Sequence, residues 1–144
     1  MRTPMRTPMR TPLLAVDAAI LNECGIVLIK RKNPPYQGCY ALPGGFVEVG
    51  ESTEEAVARE ALEETGLHIE LLGLVGVYSD PERDPRGHVV SVCYLSRASG
   101  QPIPGSDAGM AEIFSFDDLP PLAFDHCRII ADAKRLSCAL ESGP

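Results

Sequence analysis

Between Gly44 and Leu67 the chain reads GGFVEVGESTEEAVAREALEETGL: a glycine pair, a short run, then an acidic stretch. Ser52 followed three residues later by Glu55 is a capping-box pattern, in which each side chain satisfies the other's backbone N–H. Gly66 is placed to stop a helix in the left-handed conformation. The spacing therefore predicts a helix over 52–65. On it Glu60, Glu63 and Glu64 stand at i, i+3 and i+4, so three carboxylates share one face. They repel one another at neutral pH, and crowded hard oxygen ligands suit Mg²⁺ or Mn²⁺. At about 100° per residue Val57, Ala58, Ala61 and Leu62 share a side expected to pack on a sheet. The carboxylates lie roughly opposite, with Ala56 on the acidic side and too small to block access. For a helix taken alone, a solvated acidic face is the competing reading.

The acid of this chain is concentrated here: Glu48, Glu51, Glu54, Glu55, Glu60, Glu63 and Glu64 all fall in the stretch, against a net charge of -7 over 144 residues. General nucleic-acid binding needs Lys and Arg against phosphate, so no nucleic-acid partner is expected. An anionic small molecule would need a metal to bridge it to these carboxylates. Cys24, Cys39, Cys93, Cys127 and Cys138 contain no C-x2-C pair and are odd in number. Reduced thiols in a cytoplasmic protein are expected, rather than a disulfide frame or a zinc site. No apolar run reaches the roughly 18 residues of a membrane span, and the polar, Pro-rich N-terminus does not read as a signal peptide.

The first twelve residues repeat MRTP three times, with a proline at every fourth position. They read as a flexible tail, residues 1–12, with a basic partner-contacting arm as the alternative. The rest, 13–144, reads as one domain. Strands are predicted over 13–21 and 26–31, joined by the turn Asn22-Glu23-Cys24-Gly25. A short strand over 39–42 follows, ended by a Pro43-Gly44-Gly45 turn. After the acidic helix come a hairpin, 69–79 with 88–97, a Gly/Pro/Ser-rich loop over 98–111, and a strand over 112–116. An amphipathic helix over 125–140 closes the chain, with Ile129, Ala133, Leu136 and Leu140 on one stripe. The fold class is α/β (α+β): a mixed sheet between helical layers.

The acidic stretch matches the pattern G-x5-E-x7-R-E-U-x-E-E-x-G-U, with U apolar. Gly45, Glu51, Arg59, Glu60, Ala61, Glu63, Glu64, Gly66 and Leu67 fill its fixed positions. The chain thereby resembles the Nudix hydrolases, and the order of hairpin, LPGG turn, box helix, hairpin and last helix resembles them too. The resemblance implies an α/β/α sandwich that hydrolyses a nucleoside diphosphate linked to another group. It implies Mg²⁺, with Mn²⁺ as an alternative, held by Glu60, Glu63 and Glu64 with the Gly44 carbonyl as an extra ligand. It gives Gly45, Glu51 and Arg59 structural roles, with Arg59 tying to Glu51. Chemically, the metal would neutralise phosphate oxygens and acidify a water, whose proton a carboxylate removes. Glu112 is the first candidate for that base, Glu64 the second and Glu82 the third; Glu63 is counted with the catalytic carboxylates.

Tyr78-Ser79-Asp80-Pro81-Glu82-Arg83-Asp84-Pro85-Arg86-Gly87-His88 resembles a segment of the family's ADP-ribose pyrophosphatases. The implied reaction is ADP-ribose plus water to AMP and ribose 5-phosphate. A nucleoside triphosphate or other nucleotide-sugar pyrophosphatase is the rival, and a non-catalytic ADP-ribose sensor the more distant one. Arg83 and Arg86 would grip phosphate or ribose oxygens as forked donors. Arg31, Tyr78 and Phe46 complete the expected substrate contacts. The bland reading of the loop is that its Arg and Asp residues pair with each other. Tyr40 stands where many relatives carry Trp. The resemblance also implies a homodimer; no membrane partner is expected, because no apolar run is long enough to span a membrane.

Overall fold

A computed structural model of the chain describes residues 10–103 and 110–142. Most of the MRTP repeat, expected as a flexible tail, lies outside the described residues, as does part of the loop expected over 98–111.

Among the described residues seven strands form one mixed sheet with a helix on either face. β1 (Leu13–Asn22) and β2 (Gly25–Lys30) form the first hairpin but are in register only at Leu21–Asn22 with Gly25–Ile26. Beyond that they part. β3 (Tyr40–Ala41) pairs with β2, and β4 (Gly44–Phe46) with β1. Gly44 and Gly45, expected in a turn, are therefore strand residues. The cause is steric: a Cβ at Gly44 would stand 2.2 Å from the Val16 carbonyl oxygen, so only glycine admits the strand here. β5 (Glu70–Tyr78) and β6 (Val89–Arg97) form the second, antiparallel hairpin, and β6 runs parallel to β1 along Leu13–Leu21. β7 (Ala111–Phe114) pairs with β2.

Alternation along the strands sorts the core into two layers. Val16, Ala18, Ile20 and Val27 pack with Val57 and Ala61 of α1 (Thr53–Thr65). Ala19, Ile26, Leu28, Cys93 and Leu95 pack with Ile129, Ile130 and Ala133 of α2 (His126–Glu141). Fully burying a side chain of this size contributes roughly 1.5–3 kcal/mol, so Ile20, Leu28, Leu95 and Ile129 anchor both helices. Leu136 is only partly buried and Leu140 is 52% exposed, so the α2 stripe ends one turn earlier than its periodicity predicts.

The ends of α1 are built as its sequence predicts. Ser52 Oγ accepts the Glu55 N–H at 3.1 Å, Glu55 Oε1 accepts the Ser52 N–H at 2.9 Å, and Gly66 closes the helix at φ 71°. Its packed face is rotated from the expected one. Ala58 and Leu62 are exposed, while Ala56 is fully buried beside Val57 and Ala61. The buried stripe thus adjoins the carboxylates instead of opposing them, which carries Glu60 and Glu64 to the margin of the sheet.

β5 reads in triplets, Leu71-Leu72-Gly73 and Leu74-Val75-Gly76, then Val77-Tyr78. Register shifts between Leu71 and Gly73 and between Leu74 and Gly76 each add one residue, as β-bulges do. Leu72, Val75 and Tyr78 consequently reach the α2 layer, while Leu71, Leu74 and Val77 are exposed. Among the described residues no helix is long and apolar enough to cross a membrane. All five cysteines are free thiols.

Candidate active site

The site is assembled where β1 and β2 part. The N-terminal Gly of β4 lies beside α1, and its backbone N–H donates to Glu64 Oε1 at 2.8 Å. A Cβ at Gly45 would meet the Glu60 carboxyl carbon at 2.6 Å, so the glycine leaves room for that carboxylate alone. Arg59 organises the cluster: Nε and Nη2 fork onto Glu51 at 2.6 and 2.9 Å, Nη1 reaches Glu60 at 2.7 Å, and Nη2 also donates to the Phe46 carbonyl. Burial pushes the Glu64 carboxyl well above the usual carboxylate range, and the nearby charges of Glu60 and Asp17 add to the push. Hard oxygens gathered against their own repulsion fit a divalent cation. Glu63 stands apart, 58% exposed, with a 3.4 Å contact to Arg59. Among the described residues no three His, Cys, Asp or Glu side chains form a ready-made metal cage. The structure therefore brings Glu60 and Glu64 together and leaves Glu63 at their edge.

A cavity of about 240 Å³ opens beside this acidic wall. Gly44, Gly45, Phe46 and Glu64 line one part of it, and Arg31, Arg86 and Phe124 another. The two guanidiniums lie over the Phe124 ring at 5.0 and 5.5 Å. Burial and the charge of Arg86 lower the Arg31 pKa, which marks a place where an anion would be welcome. The floor is formed by Asp17, Ser91 and His126. The Ser91 hydroxyl donates to Asp17 Oδ2, and the Leu42 N–H donates to His126 Nδ1 at 3.0 Å. Phe124, just before α2, holds a left-handed φ of 52°, a strained state for an aromatic residue. A larger hollow, about 1040 Å³, lies at the other end of the sheet beside the β1–β2 turn. It holds no residue of the acidic stretch, and its exposed Arg97 and Glu70 pair with each other at 3.2 Å.

The other expected residues fall in several places. The Arg83 side chain is 6% exposed and its guanidinium is forked onto Asp125 at 2.9 and 2.7 Å; the residue lines the cavity while its donors hold the start of α2. Arg86 is forked onto Asp84, which is the pairing the bland reading anticipated, yet its side chain is 48% exposed and reaches the cavity. Tyr78 is buried in the α2 layer, donates its hydroxyl to Asp132 at 2.7 Å and does not line the cavity. Glu112 lies on β7, accepts the Tyr40 hydroxyl at 2.7 Å, and is absent from the cavity wall. Both stand on the α2 face of the sheet, Tyr78 opposite Ser91 and Glu112 opposite Leu28, but outside the cavity lining. Glu82 sits in the Asp80 turn, exposed. Asp17, Ser91 and the Phe124–His126 segment come from three separate parts of the chain with no motif of their own, so the sequence does not single them out as site residues.

A family model described as NUDIX domain matches residues 11–133. The chain belongs to the Nudix hydrolase family. Members of the family generally require a divalent metal ion, consistent with the donor set around Glu60 and Glu64. This Nudix chain is 55% identical over 123 residues to the ADP-ribose pyrophosphatase of Methanocaldococcus jannaschii, covering 85% of the chain and 73% of that relative. Among solved structures it resembles the NUDIX domain of Shewanella oneidensis NrtR complexed with ADP ribose, at TM-score 0.80 and 31% identity, covering 90% of each chain. It also resembles an ADP-ribose pyrophosphatase of Streptococcus suis, at TM-score 0.75 and 33% identity, covering 88% of this chain and 92% of that one.

Proposed function

We propose that the chain hydrolyses the diphosphate linkage of ADP-ribose, releasing AMP and ribose 5-phosphate, with Mg²⁺ as the preferred ion and Mn²⁺ as a substitute. The observation that carries this reading is the cavity itself, lined by the acidic wall of Glu64 and by the guanidiniums of Arg31 and Arg86. A diphosphate suits that combination, because its charge is matched by arginine donors and by a cation on the carboxylates. The 55% identity to a relative named ADP-ribose pyrophosphatase supports the choice of nucleotide.

Glu60 and Glu64 would hold the ion, with Glu63 joining by a change of side-chain rotamer away from Arg59. When bound, it would neutralise phosphate oxygens and acidify a water. Arg59 holds Glu60 in place and keeps Glu51 from adding its charge to the cluster. Glu64 is the better-placed base than Glu112, because it lines the cavity and Glu112 does not. Phe46, 44% exposed at the rim, offers an apolar surface to the nucleotide.

The likeness to a domain complexed with ADP ribose supports a second reading, binding without turnover. The two are separated by Glu64→Gln and by a panel of ADP-ribose, other nucleotide sugars and nucleoside triphosphates. Turnover of ADP-ribose by the wild type, lost in the variant, is expected. Equal or faster turnover of the triphosphates would sink the choice of substrate, and binding with no turnover of any compound would favour the sensor.

Homodimerisation and cytoplasmic residence belong to the same proposal. The exposed Leu71, Leu74 and Val77 of β5 support the first, and the five free thiols support the second.

A further inference from the structure

Two hydrogen-bonding atoms in the cavity floor have no partner among the described residues. His126 is 4% exposed, and its Nδ1 accepts the Leu42 N–H at 3.0 Å. Nδ1 is therefore unprotonated, and the neutral ring carries its proton at Nε2. Asp17 Oδ1 lies 3.9 Å from that nitrogen, beyond hydrogen-bond reach. Asp17 is 8% exposed; its Oδ2 takes the Ser91 hydroxyl, while Oδ1 takes nothing and lies against Gly44, where an added Cβ would come within 2.5 Å of it. Among the described residues no fully enclosed side-chain nitrogen or oxygen lacks a partner. Nε2 and Oδ1 are thus open to the cavity that both residues line.

A donor and an acceptor at this separation are bridged by one oxygen about 2.8 Å from each. That oxygen must accept from nitrogen and donate to a carboxylate. A hydroxyl does both. A phosphate oxygen or a carbonyl has no proton to give, and an ammonium cannot accept. We propose that Asp17 and His126 form a notch that holds one sugar hydroxyl of the substrate beside its diphosphate. This rests on the nucleotide reading above, since the diphosphate bound between Glu64 and the arginines brings its flanking riboses into the same cavity.

The notch is held from both sides. Arg83 is forked onto Asp125, the residue before His126, and so pins the start of α2. Ser91 sits opposite Tyr78 on the paired strands and fixes the Asp17 carboxylate from β6. Water has the same hydrogen-bonding pattern as a sugar hydroxyl, and the experiment must tell them apart.

The test measures kcat and KM for ADP-ribose and for analogues lacking each ribose hydroxyl in turn. It uses the wild type, Asp17→Asn and His126→Gln, with a thermal melt of each. In the wild type one analogue should lose about tenfold or more in kcat/KM, because a site built for a hydroxyl leaves its own groups unpaired when it is missing. In Asp17→Asn and His126→Gln the intact substrate should lose a similar factor and that analogue little further, so that their ratio falls to within about threefold. A wild type indifferent to every ribose hydroxyl overturns the proposal without needing any variant. So does a ratio unchanged in both variants. A uniform fall in kcat for all substrates would assign the notch to the attacking water instead. If ADP-ribose itself is not turned over, the substrate reading fails separately. The same series is then run on the nucleotide that is turned over, and indifference to its ribose hydroxyls overturns the notch.

Discussion

Arg59 is the residue on which the acidic stretch depends, because it meets Glu51 and Glu60 with charge-assisted hydrogen bonds and ties both to the Phe46 backbone. Its guanidinium, with the Glu48 backbone N–H, lowers the Glu51 pKa from 4.5 to about 2. A folded pKa below the unfolded one means that the contribution is fully present above about pH 4.5 and is lost as the pH falls toward 2. Glu51→Gln should therefore lower the melting temperature at neutral pH, and the gap to the wild type should narrow in melts taken at about pH 3. A gap that does not narrow would mean that the pair adds no pH-linked stability. The two glycines of β4 give a sharper contrast. Gly45→Ala meets the movable end of Glu60, so it should fold and lose about 100-fold in kcat/KM by misplacing one carboxylate. Gly44→Ala meets the Val16 backbone and should fold poorly, as read by circular dichroism and solubility. The glutamates and Arg59 are legible in the sequence because one helix sets their spacing. Asp17, Ser91 and His126 are not, since only the register of β1 on β6 and the start of α2 bring them together.

At the scale of elements, the signals that worked were local. Ser52, Glu55 and Gly66 mark both ends of α1 because caps are made within a few residues of chain. Ser52→Ala should cost about 1 kcal/mol in chemical denaturation, the usual worth of such a cap. An unchanged midpoint would mean that the box adds nothing here. Which face of α1 packs was read wrongly, because alanines carry too little apolar surface to define a stripe. Docking on β1 and β4 chose Ala56 over Ala58 and left Leu62 43% exposed. The Pro-Gly-Gly turn was misread for a related reason: glycine that breaks an isolated strand is what permits β4 to approach β1 closely. The triplets of β5 were readable only as an irregular apolar run, since bulges depend on the partner strand.

At the scale of the whole molecule, α2 contacts β5 and β6 while α1 contacts β1 and β4, which leaves Leu71, Leu74 and Val77 uncovered on the other face of β5. If a second copy covers that face, Leu74→Glu should shift the protein to a monomer in sedimentation analysis, with little loss of fold. A wild type that is already monomeric at micromolar concentration would remove this role from β5. The sandwich architecture was legible because helix and strand periods alternate cleanly along the chain. The choice of substrate is less so, because Arg83 is paired with Asp125 and Tyr78 lies in the core, while the proposed ligand contacts at Arg31, Arg86 and the cavity floor come from separate segments. The carboxylate wall and the arginines are together proposed to cleave a nucleotide diphosphate linkage. The most direct measurement is a Mg²⁺-dependent assay on ADP-ribose in ¹⁸O-water, with products identified by mass spectrometry. AMP and ribose 5-phosphate are expected, one of them carrying a single ¹⁸O, with no reaction in excess chelator; absence of both products with Mg²⁺ present, or their formation undiminished by chelator, would overturn this reading.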